Sequence, residues 1–423
     1  MEKDFITGLM VVILILILSV TVCAETVTLR VAWWGSQSRH NRTLKVIEMF
    51  EEQYPDIKID PQYTGWGGYW EKMAAQAAGN NLPDVMQHDR MYLTQYVDNG
   101  RILSLNKYRD SGTLDLSNVD QEMGEVDGRL YGVTLGVNAF AVAYHEKLFK
   151  EAGIDLPDPD WTWQNFMNTA RKLHDELGIY GSTLFPGAYR DIFGLRIWLR
   201  QHGKALYNED VSGLGYEDDA LFADFFQMFN ELENEGVVAP PALLQEIGSN
   251  VEMDPFNQKK AAMSSLWSNQ IVAASTASGE KVDLTVMPNG ENEVRKGLFI
   301  KPSMYFTVSK NSEYPEEAAK FINFFINNVA ANEVLSAGRG VPVSAAVREA
   351  MKAKLDEVNK EQFEYIDLAT KYSSDIYDPP PDVHNQIVDH MKTLVNKILY
   401  DVITPAEAAK EFRIEAERLL QSE

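Results

Sequence analysis

Apolar and polar positions alternate from Val27 to Trp33, with Val27, Leu29, Val31 and Trp33 on one face, which predicts a half-buried strand. The loop Trp34-Gly35-Ser36-Gln37-Ser38-Arg39 follows, and then Leu44, Ile47 and Phe50 recur at helical spacing until Pro55. Ile57 and Ile59 open a second strand whose outgoing loop is Thr64-Gly65-Trp66-Gly67-Gly68-Tyr69, and Met73, Ala74 and Ala77 mark the next helix. Asn81 to Met86 predicts a short third strand ending at His88-Asp89-Arg90, before a helix that closes near Asn99-Gly100. Strands alternating with helices imply parallel βαβ units, in which ligands meet the loops beyond the carboxyl ends of the strands.

The period changes at Arg129 to Ile154. Leu130, Val133 and Leu135 are apolar, Ala139 to Tyr144 is an unbroken apolar run, and His145 to Ala152 turns helical, with Gly153 as its left-handed stop. The segment predicts one strand leaving one lobe and entering another; an ordinary buried strand followed by a helix is the plainer reading of the same pattern. Thr162 is the expected N-cap of a helix with Phe166, Ala170, Leu173 and Leu177 inward, ending at Gly178. Glu217 to Glu235 predicts a long amphipathic helix with Leu221, Phe225, Met228 and Leu232 inward, stopped by the prolines at 240 and 241. Val282 to Met287 predicts a strand. Gly297 to Ser309 predicts a second crossing as one long strand, and a third is expected after Gly338-Arg339-Gly340-Val341-Pro342. The rest is helical, apart from a loop at Tyr377-Asp378-Pro379-Pro380-Pro381 that is expected to face the cleft.

A chain of 423 residues exceeds the size at which one core keeps growing, so two domains are expected. Phe5 to Val22 is almost wholly apolar and leads into Val22-Cys23-Ala24, which predicts a signal peptide cleaved after Ala24; an uncleaved membrane anchor is the alternative, because Glu2 and Asp4 offset the positive charges of Lys3 and the amino terminus. Cleavage there removes the one cysteine, and with it Lys3, Glu2 and Asp4, so the net charge passes from −23 to −22. That acidity argues against nucleic acid and anionic membrane surfaces as partners.

The order and spacing of several short elements carry a resemblance. The run WWGSQSRHNRTLKVIEMFEEQYPDIKIDPQYTGWGGYWEKMAAQAAGNNLPDVMQHD is similar to W-W-G, F-E-x-x-x-P-D-I-K-V, Y-T-G-W and A-G-x-x-P-D-V-M-Q elements of carbohydrate-binding members of extracellular solute-binding protein family 1, the maltose-binding-protein-like receptors of ABC sugar importers. The crossing at 129–154, the Thr162-Trp163 helix start, Phe256 to Met263 and Ser309-Lys310-Asn311 with its following helix resemble further family elements. His145-Glu146-Lys147 departs from the pattern at an expected exposed helix start, and Gln258-Lys259 at a turn. The resemblance implies an α/β, two-lobed periplasmic-binding-protein fold of type II character, with residues 25–136 and 303–347 in one lobe and 137–302 and 348–423 in the other. It implies a monomeric, periplasmic or secreted protein that captures a carbohydrate, delivers it to transmembrane permease subunits and needs no cofactor or metal.

The competing class is a secreted carbohydrase or lyase. His145-Glu146-Lys147-Leu148-Phe149 puts Phe149 where a zinc helix needs its second histidine, and Gly65-Trp66-Gly67-Gly68 fails as a dinucleotide fingerprint because Trp70 stands at the last glycine. No G-x-S-x-G turn is present, but paired carboxylates among 62 acids stay open as a glycosidase reading. The positive chemistry is aromatic, since sugar rings stack on Trp and Tyr while their hydroxyls need planar polar partners. Trp34, Trp66, Tyr69, Trp267, Tyr305 and Tyr377 stand at or near strand-end loops, each with a core reading of equal weight, and Trp33 is assigned to the core by its alternation. Ser36, Arg39, Asp89, Arg90, Asn138, Tyr189 and Arg339 complete the expected ligand set; Asp89 reads equally as a helix cap, and Asn138 needs a partner because it is polar in an apolar strand. The N-terminal run is most similar to members that bind acidic oligosaccharides derived from pectin, and Arg39, Arg90, Arg190 and Arg339 offer forks for a uronate carboxylate. Neutral oligosaccharides, a phosphodiester and a polyol are the alternative ligands.

Overall fold

The computed structural model describes residues 26–35, 37–119, 124–183, 192–247, 253–376, 381 and 383–422. Its strands, in chain order, are β1 Val27–Trp34, β2 Ile57–Thr64, β3 Val85–His88, β4 Glu125–Val126, β5 Arg129–Leu130, β6 Gly132–Thr134 and β7 Gly136–Asn138. They continue with β8 Phe140–Tyr144, β9 Tyr180–Ser182, β10 Ala261–Trp267, β11 Asp283–Thr285, β12 Lys301–Pro302, β13 Tyr305–Val308 and β14 Val341–Pro342. The expected signal sequence and its cleavage point lie outside the described residues. Among the described residues no helix is long and apolar enough to cross a membrane.

Two sheets form the lobes. In the first, in the order β2-β1-β3-β13-β6, β1 runs parallel to both β2 and β3, as the strand–helix alternation predicts, while β13 is antiparallel to β3 and β6. In the second, in the order β11-β8-β10-β9, β8 is antiparallel to its two neighbours. Each sheet has its own core. The first collects Trp33, Phe50, Tyr69, Tyr305, Phe306 and Phe325, with Phe50 meeting Phe321 edge-on at 5.1 Å. The second is built on Phe149, Phe166, Phe222, Phe225, Phe229 and Phe412.

Between them lies a three-stranded sheet in the order β12-β7-β14, made of the three crossings. The stretch expected as one strand from residue 129 is thus broken into β5 to β8, because its hydrogen-bond partners change as it leaves one sheet, joins the crossings and enters the next. The crossings approach one another closely at Gly136 and Gly340, where a Cβ would lie 2.8 Å from the Arg339 carbonyl oxygen and 2.7 Å from that of Val137. The return crossing is likewise split: of the expected 297–309 strand, 301–302 and 305–308 form strands, while Leu298 and Ser309 make isolated bridges to Ser373 and Ile102. Ala337, Val341 and Val347, expected in the first lobe, pack with the second core.

Local chemistry explains most element ends. Thr162 makes a capping box with Asn165, and Gly153 and Gly178 both take left-handed φ at 66° to close their helices. The helix Ala220–Asn234 buries Phe222, Phe225, Phe226, Phe229 and Leu232, while Leu221 and Met228 sit half-buried at the margin. The inward stripe is therefore centred on the phenylalanines, of which Phe222 stacks against Phe412 with ring centres 5.0 Å apart. The chain leaves this helix through Gly236 at φ 72°, and Pro241 begins the next helix rather than ending this one.

Candidate functional site

β1, β2 and β3 end side by side, and the helix Trp66–Ala78 starts there, which gathers aromatic rings at the carboxyl edge of the first sheet. Trp33 points into the core and donates from Nε1 to His40 Nδ1 at 3.1 Å, as its alternation required. Trp34 points the other way and is 6% exposed; it meets Trp66 edge-on at 5.0 Å and Trp70 at 5.6 Å. Trp66 stands on top with 45% of its surface open. Trp34 is therefore the support and Trp66 the open platform. Trp70 and Tyr92, whose rings lie 3.8 Å apart, extend the cluster.

Several expected contacts prove to be internal. Tyr69 is 1% exposed and its hydroxyl donates to the Gln87 carbonyl at 2.7 Å, leaving no face for a sugar. Burial also holds its phenol well above the ordinary tyrosine range. Tyr305 is fully buried on β13 opposite His88, and burial pushes its hydroxyl up to about 12 against the pull of the Arg90 guanidinium. Asp89 caps the helix Arg90–Asp98 by accepting from the Met91 amide at 3.1 Å, which is its structural reading.

Arg39 and Arg339 meet beneath the cluster. Arg39 donates from Nη2 to the Gly338 carbonyl at 2.8 Å, and burial lowers its pKa to about 10. Arg339 is buried, lies over the Phe325 ring at 5.2 Å and donates from Nε to Gln87 Oε1 at 2.9 Å. Burial and then repulsion from Arg39 hold its pKa well below the ordinary arginine range. Arg339 is thus a core side chain and not an open fork. Gln87 joins these parts, since its Nε2 also donates to the Trp34 carbonyl at 3.3 Å.

On the other side of the crossings, β10 ends at Trp267, half-buried against Phe140 at 5.4 Å and Phe193 at 4.6 Å. The Lys301 ammonium lies 5.2 Å from the Trp267 ring centre. Asn138 is buried on β7 in the middle of the crossing sheet; its Oδ1 accepts from Ser268 Oγ at 3.3 Å, and a Cβ at Gly340 would come within 2.8 Å of it. A continuous path of contacts therefore runs from Trp66 through Trp34, Gln87, Arg339, Gly340, Asn138 and Ser268 to Trp267. The two aromatic platforms stand at its two ends. Ser36, Tyr189, Arg190 and Tyr377 lie outside the described residues. Sequence reasoning missed Trp70, which the spacing of Trp66, Tyr69 and Trp70 on one helix start signals, and it missed Phe193 and Lys301, for which no local signal exists.

Among the described residues no group of three or more His, Cys, Asp or Glu side chains is placed to hold a metal ion. Two cavities, of about 680 and 540 Å³, lie within the second lobe and include no residue of the path.

A family model described as bacterial extracellular solute-binding protein matches residues 39–332. The chain belongs to that family. An extracellular solute-binding protein family 1 structure from Alicyclobacillus acidocaldarius is 30% identical, with a TM-score of 0.78 over 94% of this chain and 99% of that one. A periplasmic oligogalacturonide binding protein from Yersinia enterocolitica, solved with saturated digalacturonic acid, is 25% identical with a TM-score of 0.80 over the same shares. An ABC substrate-binding protein from Listeria monocytogenes in complex with cycloalternan, 20% identical over 93% of this chain and 99% of that one, shares the fold with a TM-score of 0.77. The fold of this solute-binding protein is accordingly the two-lobed periplasmic one, and the family places it outside the cytoplasm.

Proposed function

We propose that this solute-binding protein captures an oligosaccharide between its lobes and hands it, unaltered, to the transmembrane permease of an ABC importer. The observation that carries the reading is the pair of aromatic platforms, Trp66 on the first lobe and Trp267 on the second, at opposite ends of the contact path through the crossings. Sugars with several apolar ring faces suit two separated indoles, and a hinge at the crossings brings the indoles together around them. In this account β7, β12 and β14 are the hinge, residues 25–136 with 303–347 are the first lobe and 137–302 with 348–423 the second, apart from the packing of Ala337, Val341 and Val347. The protein works as a monomer after loss of residues 1–24.

The solute is proposed to carry uronate units. The Yersinia relative binds such a sugar, and the second platform carries a lysine. A thermal-shift screen over mono- and oligosaccharides, neutral and acidic, tests the reading. A rise in Tm with an oligosaccharide that is recovered intact supports it. Absence of any shift, or release of reducing ends, overturns it.

A further inference from the structure

Lys301 lies on β12, opposite Asn138 of β7 in the antiparallel register of the crossing sheet. Its backbone therefore belongs to the hinge, while its side chain reaches into the second lobe. There the ammonium lies 5.2 Å from the Trp267 ring centre and 5.9 Å from that of Phe193. Both Lys301 and Trp267 keep part of their surface open, so cation and platform share one patch. Arg196 lies on the same aromatic group, 5.7 Å from the Phe193 ring centre, so two cations flank it in a chain of net charge −23.

Most lysines with a close acidic neighbour here are explained by it: Lys147, Lys150, Lys281, Lys296, Lys320, Lys354 and Lys397 all pair with Glu or Asp. Lys301 has no carboxylate within ion-pair distance among the described residues; its neighbours are π faces. A half-buried ammonium held by rings alone keeps its hydrogen-bond donors available, and an ammonium has three. A hexuronate ring differs from a neutral hexose in bearing its carboxylate at the ring's edge. A ring packed against Trp267 presents that edge group at the margin of the indole, within reach of the Lys301 ammonium that lies over the ring.

We propose that Lys301 is the specificity-determining residue of the solute site, pairing with the carboxylate of the uronate unit that stacks on Trp267. The inference rests on the acidic-oligosaccharide reading above and supplies the residue that enforces it. It also explains the residue's place in the chain. A solute anion paired with Lys301 touches a hinge strand and the second lobe at once, so binding bears directly on the crossing whose geometry must change when the lobes close. Arginine candidates do not fill this role as well: Arg339 is buried beneath Trp34, and Arg39 is tied to Gly338.

The test is calorimetric titration of wild type, Lys301→Met and Lys301→Arg with digalacturonate and with a neutral disaccharide, at low and high salt, alongside the Tm of each apo protein. Wild type is expected to bind digalacturonate, Lys301→Met to lose about 30-fold or more in affinity together with most of the salt dependence, and Lys301→Arg to stay within about fivefold, with apo Tm values close to one another. If wild type binds digalacturonate and Lys301→Met binds it equally well, the assignment of Lys301 is overturned while the acidic reading stands. If wild type prefers the neutral sugar, both are overturned.

Discussion

Trp66 meets Trp34 edge-on, with ring centres 5.0 Å apart and planes at 85°, yet one indole is buried and the other is nearly half open. The buried ring fixes the open one, so the two substitutions should behave differently. Trp66→Ala is expected to weaken oligosaccharide binding by about 1–3 kcal/mol with little change in apo Tm. Trp34→Ala should lower both, because it removes a packed core ring, at a cost of about 3–5 kcal/mol in stability. Parallel calorimetry and thermal melts check this, and equal affinity for Trp66→Ala and wild type would remove Trp66 from the site.

Tyr69 gives the opposite pattern. Its hydroxyl is spent on the Gln87 carbonyl inside the first lobe. Tyr69→Phe should cost about 1 kcal/mol of stability and leave solute affinity unchanged. A loss of affinity without loss of stability would return Tyr69 to the ligand set.

Acid should weaken the fold before most carboxylates titrate. His88 is buried among Trp70, Tyr96 and Thr307, and burial lowers its pKa to about 3; His384, beside Tyr207 and Arg196, is also lowered to about 3. Both are neutral when folded, whereas the unfolded imidazole titrates near 6.5. The unfolded chain therefore binds more protons between pH 6.5 and 3, so the stabilising effect is complete above 6.5 and is lost as pH falls through that window. Each contributes a slope approaching about 1.4 kcal/mol per pH unit well below 6.5. Denaturant melts from pH 7 to 5 should show the decline, and His88→Gln should flatten it; an unchanged slope in that variant would count against a neutral His88.

Much of the first lobe was legible because its strands alternate cleanly and end in loops. The order Trp33 inward and Trp34 outward follows from a period of two, and Thr162 reads as an N-cap from the residues themselves, to which the structure adds the capping box with Asn165. Directions that depend on packing were not legible. Tyr69 and Trp66 share a helix start, but only the tertiary position of β3 decides that one ring is buried and the other open. The crossings were found, but their breaks were not, since a run of apolar residues does not reveal where its hydrogen-bond partner changes. For that reason Lys301, at the start of one short paired piece, stayed hidden inside a segment read as a single strand.

The measurement that bears most directly on capture between the lobes is tryptophan protection on binding, read by acrylamide quenching in wild type and in variants keeping only one of Trp66 and Trp267. Capture between two platforms predicts that a saturating oligosaccharide shields both indoles with one shared midpoint, at one solute per chain. Shielding of one indole alone, with the other as accessible as in the apo protein, would contradict it.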